Sequence, residues 1–380
     1  MKMRALIVCV VALSLAGSGL VQAANRDTPY SRTSLFFLYN GWTEERPAGD
    51  EDLNQAVAGL SIHQIVSPRF DVELTGTYSS TSLSAPSTDD VDLSSVNDTR
   101  VRATGHFGEQ RQFTAALKLN LPTGQKELAD DEYALTVGLA DNARQYYVRR
   151  VGQGLDVGGE LLFQPMVDDV RFTLGGGYLY KGSYQIRADD TDDYKYGDEI
   201  SGIAGVAYRS QPVDASLTGT YTVYTDDEFG EESVFKSGPS LIISGRASYT
   251  ESFHASVAVT AITRGNAELP AGEEGALTEE NLKSGRDELQ VDANAVIPLQ
   301  ERLRLLGRLA VMNVSANEYD STSSLFRPKA NHVGVGAGFG YQFTLGLWGS
   351  VVGTYYTGKV DEDNDLTGLG ISAALILRYW

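Results

Sequence analysis

The chain has 380 residues and carries 31 Lys+Arg against 50 Asp+Glu, a formal charge of −19. This acidic balance, with no basic patch to offset it, excludes a binder that neutralises nucleic-acid phosphates. Forty glycines and 20 tyrosines against 4 methionines disfavour a mainly helical fold, because glycine and tyrosine suit twisted sheet and membrane-interface belts.

The first segment reads as an export leader. Met1-Lys2-Met3-Arg4 is a basic start, Ala5 to Leu15 is apolar, and Val21-Gln22-Ala23 supplies small residues ahead of Ala24. Residues 1–23 are therefore expected to be a signal peptide and 24–380 the mature domain. Cys9, the only cysteine, lies inside the leader, so the mature chain has no disulfide, cysteine metal site or cysteine nucleophile. Downstream, no run of 18 apolar residues offers a transmembrane helix.

Beyond the leader the chain has period two. Phe70, Val72, Leu74, Gly76 and Tyr78 oppose Asp71, Glu73, Thr75, Thr77 and Ser79. Val101, Ala103 and Phe107 alternate with Arg100, Arg102, Thr104 and His106, and Phe113 to Leu121 alternates with Lys118 and Asn120 on its polar side. Phe253 to Ala261, Leu289 to Ile297 and Leu303 to Val311 repeat the pattern, the last with Arg302, Arg304 and Arg308 on one face. Such alternation marks strands with one oily and one polar face.

The connections alternate as well. Short breaks fall at Ser67-Pro68-Arg69, Gly108 to Gln112, Pro165 to Asp169, Gln211-Pro212-Val213, Glu251-Ser252, Gln300-Glu301 and Thr344-Leu345-Gly346. Between them lie long polar breaks at 42–52, 80–98, 122–131, 187–196, 226–234, 265–286, 318–330 and 359–365. Short turn and long loop in strict succession is the pattern of an outer-membrane barrel, with short periplasmic turns and longer extracellular loops. A lipid-embedded chain without transmembrane helices must pair every backbone group between strands and close the sheet. The expected fold is thus all-β, a closed antiparallel transmembrane barrel of about 16 strands, within a range of roughly 14–18. The count turns on Glu132 to Gln164, read as a folded loop with one descending strand from Leu155 rather than an extra hairpin through Tyr133 to Val151. The last strand, Leu369 to Tyr379 before Trp380, resembles the terminal aromatic strand that such proteins present to the barrel-assembly machinery, although Arg378 stands where a hydrophobic residue is usual.

A barrel of this size has room for a polar lumen. Its inward candidates are Arg100, Arg102, Lys118, Arg246, Arg264, Arg302, Arg304 and Arg308, with Arg171 beside them and Asp71, Glu73 and Asp292 as counter-charges. They predict either a basic constriction for small anionic or polar solutes or a set of ion pairs that stiffens the lumen. The loops are acidic, as at Asp89-Asp90-Val91-Asp92, Asp189 to Glu199 and Glu273 to Glu280; they read as a solvated rim, with shared divalent cations at lipopolysaccharide as the functional alternative. Asp361 to Asp365 does not complete a calcium loop, because Leu366 occupies the position where that loop needs glycine. His63, His106, His254 and His332 stand in no nucleophile or zinc motif, and His106 and His254 are the two catalytic candidates. No cofactor or metal is expected.

Leu117-Lys118-Leu119-Asn120-Leu121-Pro122-Thr123-Gly124 resembles the strand-to-loop motif of the meta-pathway phenol-degradation family of outer-membrane transporters. That resemblance implies uptake of small hydrophobic or aromatic compounds. Only Ala24 to Arg32 precede the first strand, so no N-terminal hatch of the fatty-acid transporter type is expected. The residues together predict a Gram-negative outer-membrane channel that passes small polar or anionic solutes without chemistry. An uptake transporter for hydrophobic compounds and a non-conducting surface-binding barrel are the alternatives. Membrane lipid, lipopolysaccharide, the assembly machinery and the solute are the expected partners; oligomeric state stays open.

Overall fold

A computed structural model describes residues 30–379 apart from 87, 141, 271–275 and 362; the leader and Trp380 lie outside the described residues. Sixteen barrel strands succeed one another around the sheet, each antiparallel to the next. They are β1 (Ser31–Glu44), β2 (Glu51–Ser67), β3 (Phe70–Ala85), β4 in two segments (Thr88–Val96 and Thr99–Phe107), β5 (Phe113–Leu121), β6 (Asp156–Phe163), β7 (Val170–Tyr180) and β8 (Glu199–Ser210). The second half comprises β9 (Val213–Tyr224), β10 (Ser240–Thr250), β11 (His254–Arg264), β12 (Glu288–Pro298), β13 (Leu303–Val314), β14 (Ala330–Gln342), β15 (Leu347–Val360) and β16 (Asn364–Tyr379). Closure is direct: β1 pairs with β16 from Ser31↔Tyr379 through Glu44↔Leu366. The sheet therefore closes on itself, and every barrel strand has a hydrogen-bonding neighbour on each side along the barrel wall.

The period-two faces resolve as inside and outside. Leu74, Leu117, Leu174, Leu217, Val335 and Val351 are exposed on the outer wall, an area of oil that water would not tolerate and lipid accepts. Aromatic residues band it at both ends. At the short-turn end Phe113–Phe163, Tyr249–Phe253 and Tyr341–Phe343 stack at 5.1, 5.2 and 5.1 Å. Towards the long-loop end Tyr78, Tyr178, Tyr221 and Tyr355 stand exposed. An outward apolar band between aromatic girdles is what a bilayer selects, and the molecule is an outer-membrane β-barrel with both described chain ends at the short-turn, periplasmic side. Among the described residues no helix is long and apolar enough to cross a membrane.

Two expectations change. The segment 80–98, expected as a long loop, is a hairpin that rises above its neighbours, with Thr81↔Leu93 and Leu83↔Val91 in register. Its serines, threonines and aspartates suggest a loop, yet Leu83, Val91 and Leu93 point inward onto the buried cluster while Asp89, Asp90 and Asp92 point to solvent, so alternation wins over composition. Arg302 is not on a strand face at all; it lies exposed in the turn between β12 and β13. The descending strand read from Leu155 is β6, and the segment before it is a folded loop carrying one short helix, α1 (Asp130–Leu139).

Candidate functional site

The lumen is half filled, and the filling begins at Leu121-Pro122-Thr123-Gly124. Pro122 has no N–H to continue the ladder. Thr123 Oγ1 accepts from the Thr99 amide at 2.9 Å and donates to the Asn97 carbonyl at 3.1 Å. The Gly124 amide donates to Asp98 Oδ1 at 2.8 Å, and Asp98 Oδ2 accepts from the Gln153 amide at 2.8 Å. One carboxylate thus ties both legs of the 122–155 loop. A Cβ on Gly124 would stand 2.1 Å from the Val151 carbonyl oxygen, so the legs close only over glycine. Gly124→Ala is expected to part them, read as faster tryptic cleavage after Lys126 in a barrel that keeps its heat-modifiable gel mobility; unchanged cleavage would show that the two legs do not need this glycine.

From that hinge the chain turns into the barrel. The Glu132 carboxylate accepts from the Ala129 amide at 3.0 Å, and Asp130, Asp131 and Glu132 place negative charge at the start of α1, where the helix dipole favours it. Leu135 and Leu139 are fully buried among Trp42, Leu53, Leu93, Met312 and Tyr356. Arg144 comes next, 5 % exposed, donating to Glu44 at 2.6 Å and Glu51 at 2.7 Å. Arg46 meets the same two carboxylates at 3.0 and 2.7 Å, so the buried Glu44 and the half-buried Glu51 share two cations. Farther in, Gln55 treats the loop as a strand: its amide donates to the Val148 carbonyl at 2.7 Å and its carbonyl accepts the Val148 N–H at 3.0 Å. Tyr147 sets its ring edge-on to Phe36 at 5.5 Å.

These partners explain why the loop folds inward. Lumen positions of β1, β2 and β13 to β16 carry Phe36, Leu38, Trp42, Leu53, Val57, Leu306, Met312, Tyr356, Leu366 and Ile376, all buried. Exposed to a water-filled bore they would cost about 25 cal/mol per Å²; the loop gives them a dry partner. Alternation alone conceals them, but continuous apolar runs betray them: Leu35-Phe36-Phe37-Leu38, Leu305-Leu306 and Ala373-Ala374-Leu375-Ile376 are apolar on both faces. His332 belongs here too, tilted against Trp42 at 4.8 Å and edge-on to Tyr356 at 5.5 Å.

The opposite half, from the lower segment of β4 round to β11, keeps most of its lumen side chains accessible to water. Arg102 and Lys118 are cross-strand partners, and Glu160 on β6 meets them at 3.3 and 2.5 Å. Arg100 stands beside them with no carboxylate at ion-pair distance among the described residues, and the same is true of Arg246 on β10 and Arg171 on β7, whereas Arg209 on β8 is the cross-strand partner of Asp214 on β9. The other predicted cations are engaged elsewhere. Arg264 at the outer end binds Glu288 at 2.6 Å and the Arg286 carbonyl at 2.5 Å; Arg308 binds Asp292 at 3.0 Å; Arg304 lies over Trp348 at 5.9 Å. The predicted row therefore divides: Arg102, Lys118, Arg264 and Arg308 meet carboxylates, Arg304 lies over Trp348, Arg302 stands outside the lumen wall, and Arg100 and Arg246 face the open half.

The histidines gain polar neighbours. His63 and His106 flank Asp71 at 3.3 and 3.7 Å. His106 Nδ1 lies 3.1 Å from Thr114 Oγ1, yet that hydroxyl donates to Gln164 at 3.0 Å, so it meets the imidazole as an acceptor and is not primed as a nucleophile. His254 Nδ1 meets Thr250 Oγ1 at 2.8 Å.

No family model matches the chain. No curated protein matches its sequence. Among solved structures, OpdQ of Pseudomonas aeruginosa covers 92% of this chain and 99% of its own at 10% identity and a TM-score of 0.44. A CymD monoaromatic hydrocarbon channel covers 98% and 95% at 11% identity and 0.43. OmpT of Vibrio cholerae, an outer membrane protein, covers 92% and 96% at 12% identity and 0.40. Each is a distant likeness in shape only.

Proposed function

We propose that the protein is an outer-membrane channel through which small polar and anionic solutes pass along the open crescent of the lumen, with the 122–155 loop narrowing the bore. The carrying observation is that Arg100, Arg171 and Arg246 face this accessible half with no carboxylate at ion-pair distance among the described residues, while Arg144 and Arg308 of the filled half are paired with acids. Unneutralised charge beside low-dielectric walls raises the local concentration of anions and lowers that of cations. In this reading residues 1–23 are a cleaved leader, the assembly machinery inserts the barrel, and the acidic outer loops meet lipopolysaccharide.

The test is single-channel recording from the refolded mature chain in a planar bilayer, with the reversal potential taken across a potassium chloride gradient. Discrete anion-selective steps are expected, and Arg100→Gln with Arg246→Gln is expected to move the reversal potential towards zero while the step size changes little. Silence from a protein shown to be folded by its heat-modifiable mobility would sink the reading. It would favour a non-conducting barrel, for which the two buried clusters around the loop are the supporting observation.

A further inference from the structure

Resting on the channel reading, we infer that the open crescent holds a subsite for amphipathic anions: solutes with an apolar body of several carbons and one carboxylate, oriented with the carboxylate towards the periplasm. It rests on a lumen row in which three of four positions are isoleucine where a purely polar passage would carry hydroxyls. Ile203 on β8, Thr220 on β9, Ile242 on β10 and Ile262 on β11 are consecutive cross-strand partners. Their chain neighbours Leu241 and Ile243 are exposed on the lipid side, which sets the isoleucines on the lumen side. They remain half-exposed and belong to neither buried cluster, so the loop that dries the other half leaves them open to water. Ile242 and Ile262 side by side, with Ile203 beyond the Thr220 methyl, present branched apolar surface in a wet bore and stabilise whatever apolar surface displaces that water.

The chemistry along β10 completes the subsite. From the long-loop end, its lumen face presents Ile242, then Ser244, then Arg246. Two-residue steps of about 7 Å separate them, and the arginine's flexible stem lets the guanidinium approach from below. Ser244 pairs with Thr218 and Thr260 on the strands to either side, so a belt of hydroxyls lies between oil and cation. The next cation on the outer side, Arg264, is held by Glu288 at 2.6 Å. On these strands, free positive charge therefore lies on the periplasmic side of the isoleucines, which fixes the orientation. A neutral alcohol satisfies the row alone and acetate the arginine alone; octanoate satisfies both.

The experiment uses the mature chain in planar bilayers, with acetate, hexanoate, octanoate and octanol added in turn. Half-block of the chloride current is expected at concentrations that fall about two- to fourfold per added methylene from acetate to octanoate, with octanol weaker than octanoate by about tenfold or more. Ile203→Thr with Ile242→Thr, which keeps branched strand-forming side chains, is expected to abolish the chain-length dependence and leave acetate unchanged. Arg246→Gln is expected to bring octanoate to the level of octanol. Block independent of chain length, in a protein that conducts chloride, overturns the subsite and leaves the channel reading intact. Should the folded protein not conduct, equilibrium binding of octanoate to the protein in nanodiscs, measured against the double isoleucine variant, decides: saturable binding lost in that variant upholds the subsite while the channel reading fails, and equal binding overturns both.

Discussion

Arg144→Ala is expected to free the loop from the lumen and enlarge the conductance step, and it is the substitution with the largest predicted effect on the bore. The guanidinium is buried against Glu44 and Glu51 at 2.6 and 2.7 Å, and without it Glu44 keeps only Arg46, itself partly exposed, and the Asn364 amide at 3.1 Å. Removing one partner from such a cluster costs about 3–5 kcal/mol, because Glu44 is left buried and under-neutralised. That is a change of about a hundredfold to several thousandfold in the undocked population. Two measurements read it: larger current steps, and rapid tryptic cleavage after Arg149 and Arg150, next to the Val148 docking contact. The triple replacement of Arg144, Glu44 and Glu51 by methionine, glutamine and glutamine removes charge from both sides and is expected to restore docking. If Arg144→Ala leaves step size and cleavage unchanged, the ion cluster does not hold the loop.

Gly338→Ala is expected to disrupt the barrel wall itself. Gly334, Gly336, Gly338 and Gly340 line the lumen side of β14, and the neighbouring strand lies close against them. A Cβ at 338 would stand 1.9 Å from the Val351 carbonyl oxygen and 2.7 Å from Val352 Cα. Those obstacles are backbone, so a rotamer change cannot relieve them and two strands must shift, at a cost of about 1–3 kcal/mol or more. Gly353→Ala on β15 is the control, since nothing lies within 4 Å of its Cβ; it is expected to be neutral or slightly stabilising, the more restricted residue losing less entropy on folding. The urea midpoint for loss of the heat-modifiable band should fall clearly for Gly338→Ala and hold for Gly353→Ala. Equal midpoints would show that the strands have slack.

The barrel was legible because its physics is local. A strand with lipid on one side and water on the other must alternate every two residues, so Phe70 to Ser79 declares both faces within ten positions. Turn chemistry is equally local, and all seven short breaks read from the sequence coincide with turns between strands. Composition misled where alternation did not: the Ser/Thr/Asp-rich segment 80–98 is sheet, because its inward Leu83, Val91 and Leu93 find a buried surface that no local window displays.

By itself, then, the sequence determined an all-β outer-membrane chain and its alternation of short turns and long loops, since each follows from the spacing of neighbouring residues. Which cations remain free was decided by the tertiary structure alone. Arg144 reaches Glu44 across 100 residues, Arg308 finds Asp292 and Arg264 finds Glu288 only through the register of adjacent strands, and Arg246 stays unpaired because its cross-strand partners are Ser216 and Ala258. Pairing depends on distance in space, and the register that sets it emerges only when sixteen strands close on one another.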